Sequence, residues 1–133
     1  MRDDRSAINS ILVVAQEGTQ AQFLSQELED LNHKVMLTHS AEEASHLLND
    51  IVFIGCKLDG LLVDYNLRES TGCRVLGDFR DHFPDAAVAM MTDREDISVN
   101  IWARTKGIGL LRKPLNRNDI SSWARQVGVP SPD

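Results

Sequence analysis

The chain has 133 residues, 42% of them hydrophobic and 26% charged, and a formal net charge of -6. That length suits one domain with its own core. The acidic balance argues against a general nucleic-acid binder, which normally carries a basic patch, and no apolar run is long enough to span a membrane.

The opening residues Met1 to Arg5 lack an apolar signal core. Cys56 and Cys73 lack CxxC spacing, so free thiols in a reducing cytoplasm are expected. The segments then alternate. Residues 11–15 form a short β-branched apolar run, a buried strand. Thr19-Gln20-Ala21-Gln22 fits a capping box, followed by Leu24, Leu28 and Leu31 at helical spacing. Residues 34–38 read as a second, more polar strand. Ser40-Ala41-Glu42-Glu43 is another capping box, leading a helix with Ala44, Leu47 and Leu48 on one face. The run 51–54 either extends that helix or forms an extra strand. Leu61-Leu62-Val63-Asp64 is the third strand. Residues 72–83 carry Cys73, Leu76, Phe79 and Phe83 along one stripe and stop at Pro84. Residues 87–92 form the fourth strand, and Asp93 is a candidate N-cap for a helix bearing Ile97, Ile101 and Trp102. Gly107 ends that helix. Residues 108–112 form the fifth strand, and Asn116 or Asn118 caps a last helix with Ile120, Trp123, Ala124 and Val127 inward.

Strict βα alternation predicts a parallel sheet with helices on both faces. The near-continuous apolar strands agree with burial on both sides. The expected fold is α/β, a flavodoxin-like (βα)5 doubly wound sheet of order 2-1-3-4-5, with its site at the switch point between strands 1 and 3. One domain over 1–133 is expected, with the core over about 9–127 and a fraying tail at 128–133.

Three strand tips carry chemistry. Asp64 ends the third strand, Thr92 the fourth, and Lys113, followed by Pro114, the fifth. An acid, a hydroxyl and an amine at the carboxyl ends of parallel strands suggest a phosphoryl site, because such transfer needs positioning and charge neutralisation. His33, His39, His46 and His82 show no metal-ligand spacing. Gly107-Ile108-Gly109 is too short for a phosphate-binding fingerprint. Trp102 and Trp123 read as core-edge residues.

In this order the residues Asp64, Thr92 and Lys113-Pro114 resemble the receiver domains of two-component response regulators, over roughly residues 11–127. The wording Leu-Leu-Val-Asp-Tyr-Asn-Leu, with Leu-Leu-Arg-Lys-Pro-Leu later, is most similar to the receivers of hybrid histidine kinases. The resemblance implies that Asp64 accepts a phosphoryl group from a partner histidine. It implies that Thr92 turns its hydroxyl to that group and that Lys113, aimed by a cis bond to Pro114, pairs with acceptor and phosphate. Asp64 and the backbone carbonyl of Asn66 would hold Mg²⁺. The implied partner is a histidine kinase or histidine phosphotransfer domain meeting the first helix near Phe23 and Leu24. A homodimer through the last two helices is a further implication, with no nucleic-acid or membrane partner.

The chain departs from that pattern. Ala15 and Gln16 stand where the family has two acids, so the Mg²⁺ site is expected to be weak or absent. Losing the metal would remove about 3–5 kcal/mol of transition-state stabilisation. Glu17 stands beside them, an acid that helix starts often carry. Leu110 replaces a switch aromatic, and Asp93 adds negative charge beside Thr92. Three functions follow: a phosphoacceptor receiver with impaired Mg²⁺ dependence, a phosphorylation-independent pseudo-receiver that acts as an interaction module, and, more remotely, an aspartyl-phosphate phosphatase. The first two are not enzymes. The third requires metal-binding acids that the sequence lacks.

Overall fold

Five apolar segments pair side by side in the computed structural model, which describes residues 8–67, 72–93 and 97–129. They are β1 (Ser10–Val14), β2 (Lys34–Thr38), β3 (Gly60–Asp64), β4 (Ala87–Thr92) and β5 (Gly109–Arg112). All neighbours are parallel, in the order β2-β1-β3-β4-β5. β3 is buried along its whole length and β1 from Ile11 onward, whereas the edge strands β2 and β5 are only partly buried. The expected fold and strand order are therefore observed.

Each strand splits its side chains between two cores, as the two-residue period requires. Leu12, Val14, Leu61, Val63 and Met90 face α2 (Ala41–Ile54), α3 (Gly72–His82) and α4 (Ile97–Lys106). Ile11, Val13, Leu62, Ala89 and Met91 face α1 (Thr19–Asp30) and α5 (Arg117–Ala124). No helix among the described residues is long and apolar enough to cross a membrane.

The helix ends test the local readings. At α2, Ser40 accepts a bond from the Glu43 amide at 3.1 Å, while Glu43 Oε1 accepts from the His39 amide at 2.7 Å. The run 51–54 continues α2 up to Gly55, whose φ of 90° closes the helix. Ile51 is buried there, but Phe53 and Ile54 project into solvent. At α5, Asn116 is the cap and accepts from the Asp119 amide at 2.8 Å. At α4, Gly107 takes φ 70°, and bonds from Gly107 N to Arg104 O and from Ile108 N to Ala103 O complete a Schellman stop. The expected cap at Asp93 adjoins residues 94–96, which lie outside the described set, as do 130–133 of the expected tail.

Three readings are corrected. The capping box at Thr19 does not form. Gly18 is the N-cap with no side-chain bond, and Gln20 Oε1 instead accepts from the Leu115 amide at 3.2 Å. α4 turns Val99 and Ala103 inward, leaving Ile97 and Ile101 outward, because an offset of two residues is about 200° around a helix and places the two pairs on opposite faces. Trp123 points inward as its helical face predicts but lies deeper than the core edge, 3% exposed, with its ring against Gly60 and Gly109, while Trp102 is half-buried as expected. A Cβ at Gly60 would stand 3.1 Å from that ring, so the glycine makes room for the indole.

Candidate functional site

The carboxyl ends of β1, β3, β4 and β5 meet at one end of the sheet. Backbone bonds lock the tips in register beyond the strands. Tyr65 N donates to Met91 O at 2.9 Å, and Lys113 N donates to Thr92 O at 2.8 Å. These bonds bring Asp64, Thr92 and Lys113, 49 positions apart from first to last in sequence (113 − 64), to adjacent strand ends.

Asp64 is 2% exposed and Thr92 3%. The Lys113 ammonium reaches Asp64 Oδ1 at 2.6 Å, and the Lys113–Pro114 bond is cis, as expected. Apart from that ammonium, no donor among the described residues reaches Oδ1. Oδ2 accepts from the Gln16 backbone amide at 2.9 Å. A buried carboxylate requires such partners, since an unpaired one carries a large desolvation cost.

Gln16 makes a second contact. Its side-chain Nε2 donates to the Asn66 carbonyl oxygen at 3.0 Å. One residue of the loop after β1 thus holds both the acid and the carbonyl of the loop after β3. Ala15 supplies only a methyl to the core below, and its carbonyl accepts from His39 Nδ1 at 2.8 Å, which fixes the proton on that nitrogen. Glu17 and Asp93 are exposed at the rim, and Leu110 is half-buried against the core. A cleft of about 270 Å³ opens over this arrangement, lined by Ala15, Gln16, Glu17, Asp64 and Lys113 among others. A larger hollow of about 540 Å³ lies between α2 and α3, but its charged lining of Glu42, Arg74 and Asp78 is of mixed sign and solvated.

The described residues contain no group of three or more His, Cys, Asp or Glu side chains placed to hold a metal. Among the described residues, Asp64 is the one buried carboxylate at the tip. Burial pushes the His33 imidazole below its ordinary value, partly offset by Asp59, but His33 precedes β2 at the opposite end of the sheet.

Sequence reasoning missed two contributors. Gly72 opens α3, and its amide donates to Tyr65 O at 2.8 Å. A Cβ there would collide with the Asp64 carbonyl and come within 2.8 Å of Val63, so the backbone behind the acid demands glycine. A glycine eight positions after a strand-end acid, at a helix start, was the available signal. In sequence Gln16 is only a missing acid, whereas in the fold it donates twice. Of the two α1 residues expected near a partner, Leu24 is fully buried in the core, while Phe23 is half-buried beside the exposed Gln22 and Gln26.

No protein-family model and no curated protein matches the sequence. Solved structures do match. The non-phosphorylated HemR receiver domain from Leptospira biflexa superposes with a TM-score of 0.79 at 16% identity, covering 94% of this chain and 98% of that one. The fold is that of receiver domains. A response regulator receiver domain from Clostridium thermocellum gives 0.75 at 25% identity, covering 89% and 92%. A response regulator from Burkholderia pseudomallei with a phosphorylated aspartic acid, calcium ion and citrate gives 0.74 at 25% identity, covering 87% of this chain and 66% of that one.

Proposed function

We propose that this chain is a signalling receiver domain of a two-component phosphorelay, in which Asp64 accepts a phosphoryl group from a histidine on a kinase or phosphotransfer partner. The observation that carries this reading is the buried Asp64–Lys113 ion pair at 2.6 Å, set at the strand tips of a receiver fold. The similar Burkholderia protein carries a phosphorylated aspartic acid, which supports the same role for an acid on this fold.

The chemistry follows from the partners. Oδ1, with no hydrogen-bond donor beyond the ammonium, is the attacking oxygen. It forms the new P–O bond as the P–N bond to the partner imidazole breaks, and the imidazole leaves with that electron pair. Oδ2 stays held by the Gln16 amide, which fixes the carboxylate plane. Lys113 moves from the acid to the incoming phosphoryl oxygens and neutralises their charge. Thr92, at the neighbouring tip, offers its hydroxyl to the same oxygens. The product is an acyl phosphate on the domain itself, so the chain is a relay partner and not a catalyst of free substrate turnover. Ile97 and Ile101, 74% and 62% exposed on α4, supply the apolar part of a homodimer or output face on the last two helices.

A second reading, a pseudo-receiver that binds partners whatever its phosphorylation, is favoured by one observation: both carboxylate oxygens already have protein partners. Intact mass after incubation with a small-molecule phosphodonor separates the two. The expected result is a single phosphate adduct that Asp64→Asn abolishes. Its absence under conditions that label an ordinary receiver assigns the chain to the second reading.

A further inference from the structure

We infer that Gln16 stands in for the divalent cation of ordinary receivers, bridging by hydrogen bonds the two loops that a metal would bridge by coordination, so that the pocket is closed without one. The inference uses the receiver reading only to say where a cation would be expected, and its test needs no phosphorylation.

A Mg²⁺ ion needs several hard oxygens converging with free lone pairs, carboxylates above all, and gives up its water reluctantly. This pocket offers one buried carboxylate among the described residues, Asp64, and both its oxygens are engaged, by the Lys113 ammonium and by the Gln16 amide, while Glu17 lines it from the exposed rim. The Asn66 carbonyl, the next oxygen a cation would use, already accepts from Gln16 Nε2 at 3.0 Å. Ala15 brings no oxygen on its side chain, and no third acid converges among the described residues. The charge balance agrees for the buried part of the tip, because Asp64 and Lys113 cancel there and leave only the exposed rim acids Glu17 and Asp93.

The orientation of the Gln16 amide decides the matter. With Nε2 toward Asn66, donor meets acceptor. With the amide turned over, Oε1 would face the Asn66 carbonyl oxygen at the same separation, two acceptors with nothing between them. Only a cation would make the second arrangement favourable. The structure therefore has two alternatives, a hydrogen-bonded bridge or a metal bridge, and the lack of a converging set of acids among the described residues selects the first. The backbone amide of the same residue adds the bond to Oδ2, so a single side chain and its own peptide group hold acid, carbonyl and loop in place.

Mn²⁺ is the probe, because it occupies Mg²⁺ sites and broadens nearby amide resonances. The full chain is titrated with Mn²⁺ and followed by two-dimensional NMR. The expected result is no selective, saturable broadening at the amides of Gln16, Tyr65 and Asn66. Selective broadening there in the unmodified chain overturns the inference, and loss of that effect in Glu17→Gln would trace the site to the rim acid. The paired variant Ala15→Asp/Gln16→Asp is expected to gain such broadening, with affinity raised by at least about tenfold. Gln16→Asp alone serves if the pair disturbs the amide spectrum. A well-folded variant that still fails to bind also overturns the inference, since Asp64 and Lys113 would then exclude the metal by themselves. A chain that takes no phosphate yet passes this test leaves the inference intact and removes only the phosphoacceptor reading.

Discussion

Lys113 supplies the counter-charge to the Asp64 carboxylate in the core. The acid is 2% exposed and the ammonium is its nearest partner. Removing one member of a buried pair leaves an uncompensated charge, which costs more than the pair contributes when intact. Lys113→Ala is expected to destabilise the domain by about 3 kcal/mol, measured as a lower urea midpoint. Asp64→Asn removes the buried charge itself and is expected to cost less. A larger loss for Asp64→Asn than for Lys113→Ala would mean that the lysine, 28% exposed, is solvated rather than engaged. Gly72 acts at the same scale in another way. Its missing side chain lets α3 start against the carbonyl of Asp64, so the acid is positioned by backbone contact from behind as well as by charge in front.

Between elements, polar ties aim the helices that frame the cleft. Arg117, the first residue of α5, meets the buried Glu27 of α1 through two bonds, Nε to Oε1 at 2.9 Å and Nη2 to Oε2 at 3.2 Å. The paired geometry makes this stronger than a single surface contact, although the exposed guanidinium limits its value. A double-mutant cycle on Glu27→Gln and Arg117→Gln is expected to give a coupling near 1 kcal/mol. A coupling indistinguishable from zero would show that the apolar α1–α5 contact alone sets the packing. On the other face, Arg80 of α3 donates to Lys106 O at 2.8 Å and Gly107 O at 3.3 Å, satisfying carbonyls that the end of α4 leaves open. α4 buries only Val99 and Ala103 of its ten residues, so this tie matters more there than in a helix with a broad apolar stripe.

The whole molecule rests on two cores separated by one sheet. Phe79 is buried on one side and Ile120 on the other, both at 0% exposure. Each truncation to alanine is expected to cost about 3–4 kcal/mol. They share no cluster, so their effects should add, and the sum would remove most of the 5–15 kcal/mol or so that holds a typical domain. The double variant Phe79→Ala/Ile120→Ala is expected to lose cooperative thermal unfolding, while each single variant keeps it. A double variant that still melts sharply near the single-variant temperatures would mean that the two faces relax together.

Much of this was legible in the chain itself. The strand runs, the stop at Gly107, the cap at Ser40 and the choice of Asn116 or Asn118 for the last cap are local, because a cap needs only the next three residues and a terminating glycine only its own φ. The parallel sheet and its order follow from the βα period. The tips Asp64, Thr92 and Lys113 could be named because strand ends in such a sheet converge by topology. What folding alone decided concerns side chains whose partners lie far away in sequence. Thr19 gave up the expected cap to Gly18, and Gln20 beside it holds the Leu115 amide, 95 positions on. Ile97 and Ile101 turned outward because helix rotation is set by contact with the sheet. Gln16, which in sequence is an acid lost, became a donor to both Asp64 and Asn66, 48 and 50 positions away, since only the folded loops bring an amide within 3.0 Å of that carbonyl.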